Sequence, residues 1–99
     1  MTTTTLPTQE QVDRVAAELA PDVIYARLNI ATDWADYPAM YFKVLIADGA
    51  SRGARLREVV EKVRMKFTSE LGLDSFEHMP YFNFRNESEQ AKLKEPAWD

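Results

Sequence analysis

The sequence predicts an α+β fold, a two-layer α/β sandwich in which two helices cover one face of a three-stranded mixed sheet, in the order α-β-β-α-β with a C-terminal tail. Two observations predict it. Apolar residues recur with a period near 3.6 in two segments and with a period of 2 in three others. One of the helical segments lies between the second and third strand segments, where it serves as a crossover that should be right-handed. Both helical stripes then need the same apolar sheet face for burial.

Residues 1–7 read as a disordered N-terminus, 8–85 as a single domain and 86–99 as the tail. Thr8 is a good N-cap and Gln11 completes a capping box. Val12, Val15, Ala16 and Leu19 make one stripe, and Pro21 ends the helix near Ala20. From Asp22 the period becomes 2. Ile24, Ala26, Leu28 and Ile30 point one way, and Val23, Tyr25, Arg27 and Asn29 the other. Thr32 to Pro38 is a polar connection containing Trp34. The second strand puts Met40, Phe42, Val44 and Ile46 on one face and Tyr41, Lys43, Leu45 and Ala47 on the other. The short link predicts an antiparallel pair.

Asp48, Gly49 and Ser51 punctuate the chain and offer caps for the next helix. Leu56, Val59, Val60, Val63, Phe67 and Leu71 mark an amphipathic helix of about five turns, and Gly72 sits where a left-handed residue ends it. The third strand falls within Phe76–Phe84, beginning after Pro80 or lying at an edge. Asn86 and Glu89 form another capping box, for a short helix from Ser88 to Glu95.

Composition narrows the function classes. One 99-residue chain with 45% hydrophobic and 28% charged residues is a single globular domain. The absence of cysteine removes disulfides and thiolate chemistry and fits a reducing, cytoplasmic compartment. No run approaches the ~18 apolar residues of a membrane helix, and Met1–Leu6 lacks the features of a signal peptide. The net charge of −4 opposes non-specific nucleic-acid binding. Residues 51–71 carry six cations against three carboxylates, so this helix is locally +3 on a body of −7. A solvated helix face has the same composition.

No catalytic, metal or cofactor site is expected. His78 is the only histidine, and the serines lie in no nucleophile context. Asp33 and Asp36 share one loop, where two carboxylates are ordinarily just solvated. Gly49 and Gly53 lack the Gly-Lys-Ser/Thr ending of a phosphate loop.

The face away from the helices is the informative surface. It collects Tyr25, Arg27, Tyr41, Lys43, Tyr81 and Arg85, with Asn29 and Asn83. Tyrosine and arginine are enriched at protein interfaces. An open sheet with aromatics and cations also serves some single-strand RNA-binding domains. Tyr–Arg pairs that merely stabilise a solvated sheet have the same make-up. The second candidate element is the tail. Trp98 is a large apolar group with no local core, so it folds back on the domain, in cis or within a homodimer, or anchors another protein, with Leu93 beside it.

Two resemblances bear on this. Tyr41-Phe42-Lys43-Val44, the following loop and the helix from near Arg52 resemble the centre of BolA-type proteins. The basic-histidine signature of that family is absent, so the resemblance implies only a KH-like layout. Tyr81-Phe82-Asn83-Phe84-Arg85, Ser88-Glu89-Gln90-Ala91 and Pro96-Ala97-Trp98 resemble the ending of small bacterial α+β proteins associated with HEPN-type toxins. That resemblance implies an antitoxin or accessory subunit and assigns no catalytic residue. The leading expectation is a non-enzymatic protein-binding module using its sheet face and tail. A single-strand nucleic-acid-binding domain is the alternative.

Overall fold

A computed structural model describes residues 6–73, 78–94 and 98. Helix α1 (Gln9–Glu18) leads into strands β1 (Val23–Thr32) and β2 (Pro38–Ile46). A 3₁₀ turn (Asp48–Ala50), helix α2 (Gly53–Leu71), strand β3 (Met79–Asn86) and helix α3 (Glu87–Leu93) follow. The sheet order is β1-β2-β3, with β1 antiparallel and β3 parallel to the central β2. This is the α+β sandwich read from the periodicities.

Local chemistry accounts for the helix ends. The Thr8 hydroxyl accepts from the Gln11 amide, and the Gln11 side chain accepts from the Thr8 amide. Pro7 and Val12 occupy the positions of a hydrophobic staple and are both buried. Leu6 packs against the core. α2 ends at Gly72, which takes a left-handed φ of 61° that costs a glycine nothing. Its start differs from the expectation. Arg52 is the N-cap and gives no side-chain hydrogen bond, because the Ser51 hydroxyl donates instead to the Asp48 carbonyl in the 3₁₀ turn.

The core lies between the helices and the even-numbered sheet face. Val12, Val15 and Ala16 of α1, with Leu19 at its C-cap, meet Val59, Val63 and Phe67 of α2 over Ala26, Met40, Phe42, Val44 and Ile46. The Phe42 ring stacks on Phe82 at 5.0 Å and packs against Phe67 at 5.5 Å. β2 is the most deeply buried strand because it has a neighbour on each side. Phe82 and Phe84 lie on edge strand β3 and are only half-buried.

Strand parity departs from the expectation at both ends of β1. Val23 pairs with Ile46 and Tyr25 with Leu45, leaving Ile24 as the extra residue of a β-bulge. The bulge flips the local parity, so Val23 enters the core while Ile24 is 43% exposed. Ile30, expected beneath the helices, is exposed to the same degree. α1 begins level with Ala26 and Leu28, and Ile30 extends past it.

The outer edge of β1 is covered at its middle by a side chain. The Gln9 amide nitrogen donates to the Ala26 carbonyl at 2.8 Å, and the Leu28 amide donates to Gln9 Oε1 at 2.8 Å. An unpaired strand edge is a template for another chain, and one glutamine here pairs two of its outward backbone groups. β3 contains Pro80, expected before the strand or at an edge; the edge position tolerates the missing donor. The expectation for Phe76 lies outside the described residues.

Candidate functional site

The odd-numbered sheet face is the one the helices leave open, and its register is a grid. Tyr25, Leu45 and Arg85 form one row, Arg27, Lys43 and Asn83 the next, and Asn29, Tyr41 and Tyr81 the third. Tyr25, Arg27, Tyr41, Lys43, Tyr81 and Arg85 therefore share one surface, as their parity implied. The structure adds their pairing. Tyr41 and Tyr81 stack with ring centres 5.3 Å apart. The Arg27 guanidinium lies 4.2 Å over the Tyr25 ring and reaches Asp13 of α1 at 3.9 Å. All six are half-buried.

Trp98 closes the first row. Its side chain is 4% exposed, its carbonyl accepts from the Tyr25 hydroxyl, and its ring lies 4.5 Å beneath the Arg85 guanidinium. Leu45, between Tyr25 and Arg85 on a face no helix covers, is only 6% exposed. Of the two fates open to Trp98, the structure shows the fold-back. Leu93, expected as its fellow anchor, is exposed on α3 and does not join it.

α3 delivers the tail to this end of the sheet. The Asn86–Glu89 capping box is formed. The Ser88 amide and hydroxyl both donate to the Asp48 carboxylate, at 3.0 and 2.7 Å. These bonds hold the Asp48 carboxyl below its ordinary value of 3.8. Arg85 also donates to Gln90 Oε1 at 2.9 Å, and the Asn86 amide donates to the Ser51 hydroxyl at 3.2 Å. At Lys94 the chain turns with a left-handed φ of 48°. Burying the indole contributes about 1.5–3 kcal/mol, and the cation–π contact about 0.5–1 more at a partly open site.

The other end of the face is rimmed by the β1–β2 loop, residues 33–37. One carboxylate organises it. Asp33 Oδ1 accepts from the Ala35 and Tyr37 amides at 2.8 and 3.0 Å, and Oδ2 accepts from the Tyr81 hydroxyl at 3.0 Å. The Asp33 amide donates to the Tyr37 carbonyl, and Asp36 closes the turn at φ 64°. The Tyr37 amide, ahead of the Ala35 amide and the Tyr81 hydroxyl, holds the Asp33 carboxyl below its ordinary range. Asp33 in turn pushes the Tyr81 phenol above its usual value. The braced loop displays Trp34, 94% exposed, with Tyr37 and Met79 also exposed at this end.

Sequence reading passed over Trp34 as one residue of a polar connection. The signal was present: an Asp whose side chain can cap the amides two and four positions on, followed at once by tryptophan. The expected basic surface of α2 is partly neutralised. Arg55 pairs with Asp22 at 2.7 Å, and Lys66 bridges Glu18 and Glu70 at 3.1 and 3.3 Å. Among the described residues no three His, Cys, Asp or Glu side chains converge to hold a metal ion, and no helix is long and apolar enough to cross a membrane. Compared with protein-family models, curated proteins and solved structures, the chain matches none of them.

Proposed function

We propose that the chain is a non-enzymatic protein-binding module that docks a partner on the loop end of its odd-numbered sheet face. Trp34 leads the contact, and Tyr37, Tyr41, Tyr81, Lys43 and Arg27 lie behind it. One observation carries the reading. A tryptophan 94% exposed to water stands on a loop that five hydrogen bonds hold in place. A free apolar side chain this large adds nothing to the core, whereas a pre-ordered aromatic loses little entropy on binding. Single-strand nucleic-acid binding is less well supported, because Tyr41 and Tyr81 stack on each other and Arg27 covers Tyr25.

The resemblance of the C-terminal fifth nominates a HEPN-type toxin as the partner, with this chain as its antitoxin or accessory subunit. Co-expression with such a toxin, followed by calorimetry of the purified pair, tests this. Trp34→Ala is expected to weaken the complex by about 2 kcal/mol or more, roughly thirty-fold in Kd. Equal affinity of the variant and the parent chain rejects the Trp34 surface.

A further inference from the structure

The three strands contain three charged residues, one each, and all are cations: Arg27, Lys43 and Arg85. All three lie on the odd-numbered face of a chain whose net charge is −4. Two of them have partners within the molecule. Arg85 donates to Gln90 and covers Trp98, and Arg27 reaches Asp13 and lies over Tyr25. Lys43 is different. It is half-buried at the centre of the face and makes no ion pair among the described residues. Its cross-strand neighbour is another cation, since Arg27 stands directly opposite it in the register. Side chains so paired have Cβ atoms about 4.5–5.5 Å apart, and like charges there repel.

We propose that the row Arg27, Lys43 and Asn83 is the seat of a carboxylate. The partner presents an Asp or Glu to the Lys43 ammonium and an apolar side chain to the Tyr41–Tyr81 stack in the next row. The inference rests on the reading of this face as a protein-docking surface and names the chemistry of its partner. A carboxylate between Lys43 and Arg27 turns their repulsion into two attractions. The exposed Asn83 side chain, on the other side of Lys43 in the register, offers an amide donor to the second oxygen. A half-buried site also screens the pair less than open water does.

The grid sets the spacing of the two contacts. Rows two residues apart along a strand are separated by about 6.5–7 Å. The apolar residue and the acid therefore stand two positions apart in an extended segment, or one turn apart on a helix. A polyanion fits less well. A chain of net charge −4 repels it at long range, and a face whose other cations already have partners neutralises few phosphates.

Selection of a random peptide display library on the immobilised full chain, followed by calorimetry of the best synthetic peptide, tests the seat. The selected peptides should be enriched in an acid at the stated spacing from an apolar residue. Lys43→Met should bind the peptide about ten-fold more weakly or worse, and so should the parent chain given the same peptide with Gln for the acid. The two losses should not add, because both remove one contact. Lys43→Met keeps the stem and ends the repulsion, so the Tm of the free chain should be no lower than the parent's. A Tm several degrees lower assigns the charge to the fold and overturns the proposal. So does a selection that yields no peptide or none enriched in acid, or additive losses. Tighter binding of oligothymidylate than of the peptide overturns it in favour of nucleic acid. Trp34→Ala against the same peptide keeps the two readings apart. Loss in Lys43→Met alone retains the seat and rejects the Trp34 contact, and loss in Trp34→Ala alone overturns the seat and leaves the docking surface.

Discussion

Asp33 shows how much one side chain can organise. It sits at the corner of β1, and its carboxylate ties the Ala35 and Tyr37 amides and the Tyr81 hydroxyl together. The Tyr37 amide lowers its pKa below the ordinary 3.8, while Asp33 raises that of Tyr81 above the ordinary 10.0. The signs differ in consequence. A depressed carboxylate stabilises the fold fully above its unfolded value, and the contribution fades as pH falls through the lower folded value. A raised phenol stabilises it fully below 10.0, and that contribution fades as pH rises through the higher folded value. Amide chemical shifts of Ala35 and Tyr37 should therefore titrate together, with a shared midpoint below 3.8. Asp33→Asn should bring the spectroscopic titration of Tyr81 back toward its ordinary value. Unchanged Tyr81 titration in that variant would disprove the brace.

Among the elements, the strand edges and the tail helix carry the testable chemistry. Gln9 pairs two outward backbone groups of β1 from a neighbouring helix, through two bonds of 2.8 Å. Gln9→Ala should cost about 1–2 kcal/mol in urea unfolding, since a net hydrogen bond contributes about 0.5–1.5 kcal/mol. Hydrogen exchange at the Leu28 amide should accelerate in the same variant. α3 depends on Asp48 in a comparable way. Two hydrogen bonds from Ser88 depress the Asp48 carboxyl below 3.8, so its hold on the tail helix is complete above that pH and weakens below it. Protection of the Ser88 amide in acid, measured by exchange, should fall before the β2 amides open. Simultaneous loss at both places would mean that the tail helix is not a separate unit.

At the scale of the molecule, two aromatics of opposite situation separate stability from recognition. Phe42 is fully buried at the meeting point of β2, β3 and α2, and Trp34 stands almost wholly in water. Phe42→Ala should cost about 3–5 kcal/mol, roughly half of the ~5–10 kcal/mol available to a domain of this size. Trp34→Ala should change thermal stability by no more than about 0.5 kcal/mol. A large loss of Tm in the Trp34 variant would assign that residue to structure and leave the binding surface without its anchor. The same division runs across the open face. Its Trp98 end is filled by the chain itself, and its Trp34 end faces solvent.

The sequence by itself determined the element order, the helix ends other than the start of α2, and the parity of most of the sheet. Capping boxes at Thr8 and Asn86, the left-handed stop at Gly72 and the alternation through Met40–Ile46 act between residues a few positions apart, and one linear chain displays them in full. Tertiary structure alone decided the rest. Ile24 became a bulge residue because β2 pairs on either side of it, and Ile30 lost its cover because α1 begins level with Leu28. Trp98 found its seat among Tyr25, Leu45 and Arg85, residues brought into one row only by strand pairing. Trp34 and Trp98 carry the same side chain, and the Asp33 cap ahead of Trp34 marks an ordered loop without saying which way the ring faces. One is exposed and one buried because an Asp33–Tyr81 bond spanning 48 positions turns the first outward, while α3 carries the second back to the sheet.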